Sequence, residues 1–335
     1  VPRIGSDKLA QILNIPTDKA GFFLESHPKL KPIDTPTEGI YICGAAHGPK
    51  DIPYSVAQAS GAASRAARIL AQDYVTIEPI VSYVLPDKCI RSINPKIECG
   101  ACAKVCPYNA IELTPGQPAR VIPAKCHGCG TCVAECPQDA IIQFHFTDQQ
   151  IASQIIEYLK EEPEKKILAF TCNWCSYAGA DLAGTSRYEY PPDARLIRVM
   201  CSGRIDRDFI YLAFRLGAGM VLVSGCRLSE FGSDCHYISG NVHAKRRFEA
   251  YKRTLVRAGL TPSRLRLEWV SAAEGDKWAA IMEEMAKELK RLGPEKIKAE
   301  NEKLKPFLDK LLRRAWQIQA VLKQAEEVVE RVESH

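Results

Sequence analysis

Residues 126–137 read Cys-His-Gly-Cys-Gly-Thr-Cys-Val-Ala-Glu-Cys-Pro, which places cysteines at positions 126, 129, 132 and 136. Three cysteines, each two residues before the next, allow one loop to wrap three corners of an iron–sulfur cube while backbone N–H groups point at its sulfides. The fourth, Cys136, precedes a proline that carries the chain away from that cube, so it ligates a second one. This spacing predicts a bacterial-ferredoxin fold here.

A second run of the same kind lies upstream, with four cysteines before Pro107. Nine residues separate Cys89 from Cys99 instead of the usual two, but a longer surface loop costs little chain entropy. We therefore expect two [4Fe–4S] clusters with crossed ligation. Cluster one takes Cys89, Cys99, Cys102 and Cys136, and cluster two takes Cys126, Cys129, Cys132 and Cys106. Structural zinc uses pairs of Cys or His across a long spacer, which fits these runs less well.

The composition of the whole chain is that of an ordinary globular protein with an unusual use of cysteine. It has 335 residues, 14 cysteines and a net charge of +5. Cysteine makes up roughly 4% of the chain, below the ~8–10% of disulfide scaffolds, and its tight spacings favour metal ligation in a reducing cytoplasm. The small, scattered charge gives no indication of a nucleic-acid partner, and no apolar run approaches the ~18 residues of a transmembrane segment.

The start of the chain, Val1-Pro2-Arg3, carries neither an initiator Met nor a signal sequence. We interpret it as a cut or split end. The protein is expected in the cytoplasm, free or at the periphery of a membrane complex.

The texture of the sequence divides the chain into four parts. They are residues 1–76, 77–147, 148–292 and 293–335. The third part alternates β-branched runs with amphipathic helical patterns, which predicts a doubly wound parallel α/β domain. The expected strands are Ile167–Thr171, Leu196–Met200, Met220–Ser224 and Leu265–Val270. The fold class is therefore a multidomain mixture of α/β and α+β.

The last part is highly charged and is expected to form a helical tail. Apolar residues recur at helical spacing from Phe307 to Val329. Such a stripe packs against the chain's own domain or docks a partner protein. Trp316 lies off the centre of the stripe and is a candidate partner contact.

Five more cysteines follow in the third part, namely Cys172, Cys175, Cys201, Cys226 and Cys235. Cys172 and Cys201 each directly follow a predicted strand, and Cys226 follows a third after one intervening residue. This places these thiols at the carboxyl edge of the sheet, where open α/β folds bind ligands. We expect a [2Fe–2S] cluster with four thiolate ligands. Cys172, Cys175 and Cys201 are the first choices, and Cys226 and Cys235 compete for the fourth place. A four-thiolate zinc site and a disulfide within the group are the alternatives.

The amino-terminal part contains a strand-like run that ends at Cys43 and is followed by the Gly-rich segment Gly44–Pro53. A helix is expected from about Tyr54, and a helix N-terminus favours an anionic group such as pyrophosphate. A tight β–α packing turn explains the pattern equally well. No Gly-x-Gly-x-x-Gly follows a strand in this chain, so it cannot hold a complete dinucleotide site. Cys43 is expected to be a small buried residue.

These pieces, in this order, resemble a known arrangement. Residues 1–147 are similar to the carboxyl-terminal part of the A subunit of heterodisulfide reductase, and residues 165–290 are similar to the delta subunit of methyl-viologen-reducing hydrogenase. The marks of the second likeness are Cys172-Asn-Trp-Cys175, Met200-Cys-Ser-Gly-Arg204, Gly225-Cys226, Asp234-Cys-His-Tyr237 and Trp269-Val-Ser-Ala-Ala-Glu-Gly275. Fusions of the two are similar to the B subunit of the quinone-interacting oxidoreductase of sulfate reducers.

The resemblance implies that residues 1–76 are the carboxyl-terminal part of an FAD-binding domain. It places Gly44, Ala45, Lys50, Asp51 and Ile52 near the FAD, which a missing amino-terminal part or another chain would share. It further implies a [2Fe–2S] cluster in the delta-like domain. The implied partners are other redox subunits, such as the B and C subunits of heterodisulfide reductase and a hydrogenase or formate dehydrogenase.

The functional hypothesis is an electron relay between a partner redox protein, the [2Fe–2S] site, the two cubes and a flavin, in a chain that is not catalytic alone. The alternatives are a non-catalytic adaptor with a zinc-bearing carboxyl-terminal domain and a free ferredoxin-like carrier. Ligand spacing does not set the direction of flow or the terminal acceptor, because cluster potentials span about −700 to +450 mV according to their surroundings.

Overall fold

The computed structural model describes residues 2–312, except 14, 19, 27, 29–30, 38, 75–78, 230–231 and 234. The described residues divide into two units. One is formed by the chain up to residue 78, with residues 232 and 236–238 grouped with it, and the other by the remainder. The predicted apolar positions beyond residue 312, and Trp316, lie outside the described residues.

The elements are numbered in chain order. The helices are α1 Ser6–Leu13, α2 Ile52–Leu70, α3 Ile90–Ile93, α4 Ala101–Lys104, α5 Thr131–Glu135, α6 Asp148–Leu159, α7 Ser176–Thr185, α8 Arg207–Arg215, α9 Gly240–Arg257, α10 Gly275–Leu292 and α11 Pro294–Leu311. The strands are β1 Ser82–Val84, β2 Ile111–Glu112, β3 Arg120–Val121, β4 Ile141–Gln143, β5 Ile167–Cys172, β6 Ala194–Val199, β7 Met220–Gly225, β8 Leu228–Ser229, β9 Gly232–Ser233 and β10 Leu265–Trp269.

Four of these strands form a parallel sheet in the order β10-β7-β5-β6. The parallel sheet predicted from the β-branched runs is thus confirmed, with strand ends one or two residues from the expected positions. The central strands β5 and β7 are buried along their whole length, as expected where helices cover both faces of a sheet. Strand β6 is added on one side of β5, and β7 and β10 are added on the other side, so the order of the strands reverses at β5. Because these strands are parallel, the carboxyl ends of β5, β6 and β7 lie at one edge of the sheet.

Two hydrophobic cores lie on opposite faces of this sheet, since successive strand residues point to opposite sides. Leu168 and Phe170 face the first core, which α6, α8, α9 and α11 complete. Ile167 and Ala169 face the second, which α7 and α10 complete around the fully buried Trp278. Helix α11 therefore packs on the α/β domain through Leu304 and Leu308. None of the helices in the described residues is both long and apolar enough to cross a bilayer.

The ferredoxin region precedes this sheet within the same unit. Strands β1 and β4 pair antiparallel, with Ser82 opposite Gln143, and β2 pairs with β3 in the same sense. The β1–β4 pair brings the two ends of the region together. Its core consists of cysteines and small apolar residues such as Val133 and Ala140, which leaves room between the two cysteine runs.

The amino-terminal unit differs from the sequence-based expectation in one respect. The run before Gly44 forms no strand there, and within the described residues only isolated bridges occur, Asp34 with Tyr41 and Thr17 with Phe23. A strand needs a continuous series of hydrogen bonds to a neighbouring segment, and the described part of this unit supplies only these isolated bridges. Helix α2 begins two residues earlier than expected, because Asp51 caps it by accepting from the Tyr54 N–H and Pro53 is tolerated in the first turn.

Candidate metal centres

The eight cysteines of the ferredoxin region line two separate cavities. One is lined by Cys89, Cys99, Cys102 and Cys136, and the other by Cys106, Cys126, Cys129 and Cys132. Each set takes three cysteines from one run and the fourth from the other, which is the grouping expected for crossed ligation. Cys89 belongs to the first cavity despite the long insertion after it, because the short turn Pro86–Lys88 and α3 fold the chain around it.

Backbone N–H groups donate to several of these sulfurs. The Ala110 N–H donates to Cys106 Sγ (3.4 Å), the Ala140 N–H to Cys136 Sγ (3.3 Å) and the Ser82 N–H to Cys126 Sγ (3.4 Å). Such bonds stabilise negative charge on a thiolate and are among the factors that set the potential of a cluster. The donors come from the turns after each Cys-Pro pair and from the start of β1.

Burial makes these thiols poor acids on their own. It raises the pKa of Cys129 to about 12 and that of Cys102 to about 11, in each case as the largest cause. At neutral pH such groups are neutral unless a cation compensates their charge. Metal binding supplies that charge and displaces the protons, so the two cavities fit cationic iron centres held by thiolates.

The five later cysteines converge at the carboxyl edge of the sheet. Cys172 ends β5, Cys201 follows β6 and Cys226 follows β7. Cys172 Sγ lies 3.6 Å from Cys226 Sγ, and Cys201 Sγ lies 3.9 Å from Cys235 Sγ. Hydrogen bonds from Cys175 and Cys226 outweigh burial and hold the pKa of Cys172 well below its usual value. Residues far apart in the sequence are thus brought to one point by the sheet topology.

Helix N-termini surround this group of five. Helix α7 begins immediately after Cys175, and the Ser176 N–H and hydroxyl both donate to Cys172 Sγ (3.5 and 3.3 Å). Helix α9 begins at Gly240, where a Cβ would overlap Cys201 Sγ and lie 3.4 Å from Cys235 Sγ. The positive ends of two helix dipoles and the Gly203 N–H, 3.4 Å from Cys201 Sγ, therefore favour negative charge here.

The loop that holds Cys201 packs directly against the loop of the second ferredoxin cavity. A Cβ on Gly203 would overlap the Thr131 hydroxyl, and a Cβ on Gly130 would lie 2.5 Å from Arg204 Cδ. After the hydrogen bond with Cys235 and burial, the negative charges of Cys235 and Cys129 also raise the pKa of Cys201. The two thiol groups are thus close enough to affect each other electrostatically.

Sequence reasoning missed the residues that join these two loops. Arg204 is fully buried between them. In the sequence it stood out only as the last residue of the Cys201-Ser-Gly-Arg204 motif, and nothing there indicated its burial. Glu135, at the end of α5, forms ion pairs with Arg247 (2.7 Å) and Arg246 on α9. An acidic residue before Cys136 and a basic pair on a predicted helix were the available signals, but their pairing required the tertiary structure.

The five residues assigned to FAD by resemblance lie in the segment before α2 and at its first residue, Ile52. Gly44 has a φ of +58°, which glycine adopts without strain, and its N–H donates to Gln58 Oε1 (2.9 Å). The Asp51 carboxylate caps α2, while Ile52 is exposed. A cavity of about 360 Å³ in the same unit is lined by other residues, among them Arg65 and Arg68. The turn offers the N-terminus of α2 to an anionic group.

Two family models match the chain. One, described as methyl-viologen-reducing hydrogenase, delta subunit, matches residues 167–293. The other, a 4Fe-4S dicluster domain, matches residues 97–140 and supports [4Fe–4S] binding. The second match includes seven of the eight ferredoxin cysteines and begins after Cys89, whose place in the first cavity is seen only in the structure.

The chain is 40% identical over 294 residues to the A subunit of the ferredoxin:CoB-CoM heterodisulfide reductase of Methanosarcina mazei, an alignment that covers 88% of this chain and 36% of that protein. It is 45% identical over 139 residues to the iron-sulfur D subunit of the F420-non-reducing hydrogenase of Archaeoglobus profundus, covering 42% of this chain and 98% of that protein. The chain spans about a third of the length of the heterodisulfide reductase relative. It therefore belongs to the family of methyl-viologen-reducing hydrogenase delta subunits, joined in one polypeptide to a dicluster ferredoxin region like that of the heterodisulfide reductase A subunit.

Proposed function

We propose that this chain is an electron-relay subunit of a heterodisulfide reductase-like complex. Its residues would hold a [2Fe–2S] cluster at the carboxyl edge of the sheet and two [4Fe–4S] clusters in the ferredoxin cavities. Bound clusters would supply one-electron carriers, and the protein would fix their spacing. The relatives' names support hydrogenase and heterodisulfide reductase subunits as the class of partner.

The observation that carries this proposal is the contact between the Cys201 loop and the Gly130 loop. Glycines at positions 130 and 203 let the two loops approach until the Arg204 and Thr131 side chains fill the space between them, and a Cβ on either glycine would overlap a neighbour. An adaptor would need no such approach between two thiol groups, whereas a relay does. The order that follows is five-cysteine site, cluster two, cluster one.

The ligands proposed for the two cubes are the two cavity sets. At the five-cysteine site, Cys172, Cys175 and Cys201 keep their places, and the proximity of Cys235 to Cys201 favours Cys235 as the fourth ligand. Metal–sulfur bonds of about 2.3 Å at a tetrahedral centre place two thiolates roughly 3.8 Å apart, and the Cys201–Cys235 separation is 3.9 Å.

The flavin is the outer end of the proposed relay. A flavin exchanges electrons singly or in pairs, which suits a wire that ends at a two-electron reaction. Gly44, Ala45, Lys50, Asp51 and Ile52 would contribute one wall of that site, and a nucleotide-binding segment from elsewhere would supply the rest. Titration of the chain with FAD, followed by flavin fluorescence, tests whether these residues bind it without that segment.

Metal analysis of anaerobically purified protein separates the relay from its rivals. The relay requires about ten iron atoms per chain, from two cubes and one two-iron centre, whereas an adaptor requires about eight iron atoms and one zinc. A free carrier would show the relay's iron content but would not co-purify with redox subunits. A preparation without iron and acid-labile sulfide would contradict the whole proposal.

The contact itself is tested by Gly203→Ala. The added methyl group would overlap the Thr131 hydroxyl and press on the Gly240 backbone. In protein that retains its iron, electron exchange between the two-iron signal and the cube signals should therefore slow. Freeze-quench EPR after mixing with substoichiometric reduced methyl viologen follows that exchange. Gly184→Ala is the matched control, since a Cβ there meets nothing within 4 Å. Equal exchange in both variants would refute a route through this contact.

A further inference from the structure

Arg204 is a buried cation at the junction of two candidate cluster sites. Its side chain has no exposed surface, and its backbone N–H donates to the Cys201 carbonyl (2.9 Å). Arg204 Cδ contacts the Gly130 backbone so closely that a Cβ there would lie 2.5 Å away. Gly130 lies between Cys129 and Cys132, so the guanidinium lies beside the cluster-two loop.

Only one nitrogen of this guanidinium has its bonding satisfied. Nη2 donates to the Phe146 carbonyl (3.1 Å) and to Asp148 Oδ1 (2.5 Å). Nε and Nη1 are buried and have no acceptor among the described residues. Leaving a buried charged donor unsatisfied costs more than leaving a neutral one, so these two nitrogens indicate an acceptor that the described residues do not provide. Nε is bonded to Cδ, the atom that contacts Gly130.

We propose that Arg204 is a positioning residue that directs positive charge at cluster two and raises its reduction potential. This inference rests on the proposed relay. The Arg204–Asp148 pair forms a dipole, with its negative end on Asp148 at the partly exposed side and its positive end toward the Gly130 loop. One-electron reduction adds a negative charge to a cluster, and a nearby buried cation stabilises that reduced state.

The sulfur atoms around cluster two are the acceptors that suit the two unpaired nitrogens, Nε and Nη1. Hydrogen bonds to cluster sulfurs and the net charge nearby are among the factors that set a cluster's potential. Another buried polar atom at this junction, Gln143 Oε1, also has no partner in the described residues. An ordered water between this oxygen and Arg204 would serve the same purpose.

The test measures the potentials of both cubes by EPR-monitored redox titration with dithionite. Arg204→Met should lower the potential of one cube, shifting the electron distribution between the cubes about tenfold, or ~59 mV for one electron, and leave the other in place. Arg204→Lys should recover part of that shift. Asp148→Asn should move the same cube in the opposite direction, because it removes the negative end of the dipole.

A control variant is Arg264→Met. Arg264 is equally buried but is fully bonded, to the Ala218 and Gly219 carbonyls, Glu300 and Asn301. It precedes β10 and so lies at the amino ends of the strands, roughly 20 Å from the cysteines at their carboxyl ends. It should leave both potentials unchanged in protein that retains its iron.

The outcomes separate this inference from the relay itself. Two cubes with unaltered potentials in Arg204→Met and Asp148→Asn would overturn the role of Arg204 while leaving the relay intact. Shifts of the same sign in both variants would also overturn the role of Arg204, since removing a positive charge and removing a negative charge should shift the potential in opposite directions. Absence of clusters in the unmodified protein would contradict the relay.

Discussion

The choice between Cys226 and Cys235 gives the most direct prediction. Replacing Cys235 with Ser should remove the two-iron centre, whereas replacing Cys226 with Ser should leave it in place. Two thiolates on one tetrahedral iron lie roughly 3.8 Å apart, and Cys235 is the thiol at that distance from Cys201, at 3.9 Å. Cys226 Sγ lies 3.6 Å from Cys172 Sγ, where we expect it to remain a thiol that hydrogen-bonds with a ligand sulfur.

The magnitude follows from the cluster stoichiometry. Loss of a two-iron centre lowers the iron content from about ten to about eight atoms per chain, and both cubes remain. Iron and acid-labile sulfide are measured on anaerobic preparations, and EPR of the reduced protein shows which signal is lost. Cys201→Ser is the positive control. If Cys226→Ser lost two irons while Cys235→Ser retained ten, the pairing of Cys201 with Cys235 would be refuted.

Two further predictions concern cluster one and the far edge of the sheet. Cys89→Ser should abolish the EPR signal of one cube and lower the iron content, because it removes one of the four thiols in that cavity. Cys43→Ser, in the amino-terminal unit, should change neither the signal nor the iron content. An unaltered cube signal in Cys89→Ser would remove Cys89 from the ligand set. Arg264→Met should destabilise the protein by about 3–5 kcal/mol, since it breaks a buried ion pair, and differential scanning calorimetry should show a melting temperature lower by roughly 10 °C. Burial opposes ionisation of Glu300, but hydrogen bonds from Thr261 and Arg264 outweigh it and lower the pKa of Glu300 below 4.5. A carboxylate with a lowered pKa adds stability above its unfolded pKa, and that stability is lost as the pH falls. The melting temperature of Arg264→Met should therefore fall less steeply on acidification than that of the unmodified protein. The same dependence on acid pH in both proteins would contradict this assignment.

Much of the sheet and of the cysteine grouping was accessible from sequence because it depends on local patterns. Runs such as Ile167–Cys172 are too uniformly apolar for a surface helix and too short for a buried one, so they indicated strands. The strand-like run before Gly44 misled, because a strand also needs a neighbour to pair with, and periodicity does not report whether one is present.

The amino-acid sequence by itself determined which cysteines group in the ferredoxin region, because ligand spacing is set by how far a short loop can reach around a cube. Only the tertiary structure decided that Cys129 lies near Cys201, that Cys235 neighbours Cys201, and that Arg204 is buried between two loops. These relations join residues 34 to 74 positions apart, and they depend on sheet order and on two glycines that allow close backbone approach. No local pattern encodes a distance across such a contact.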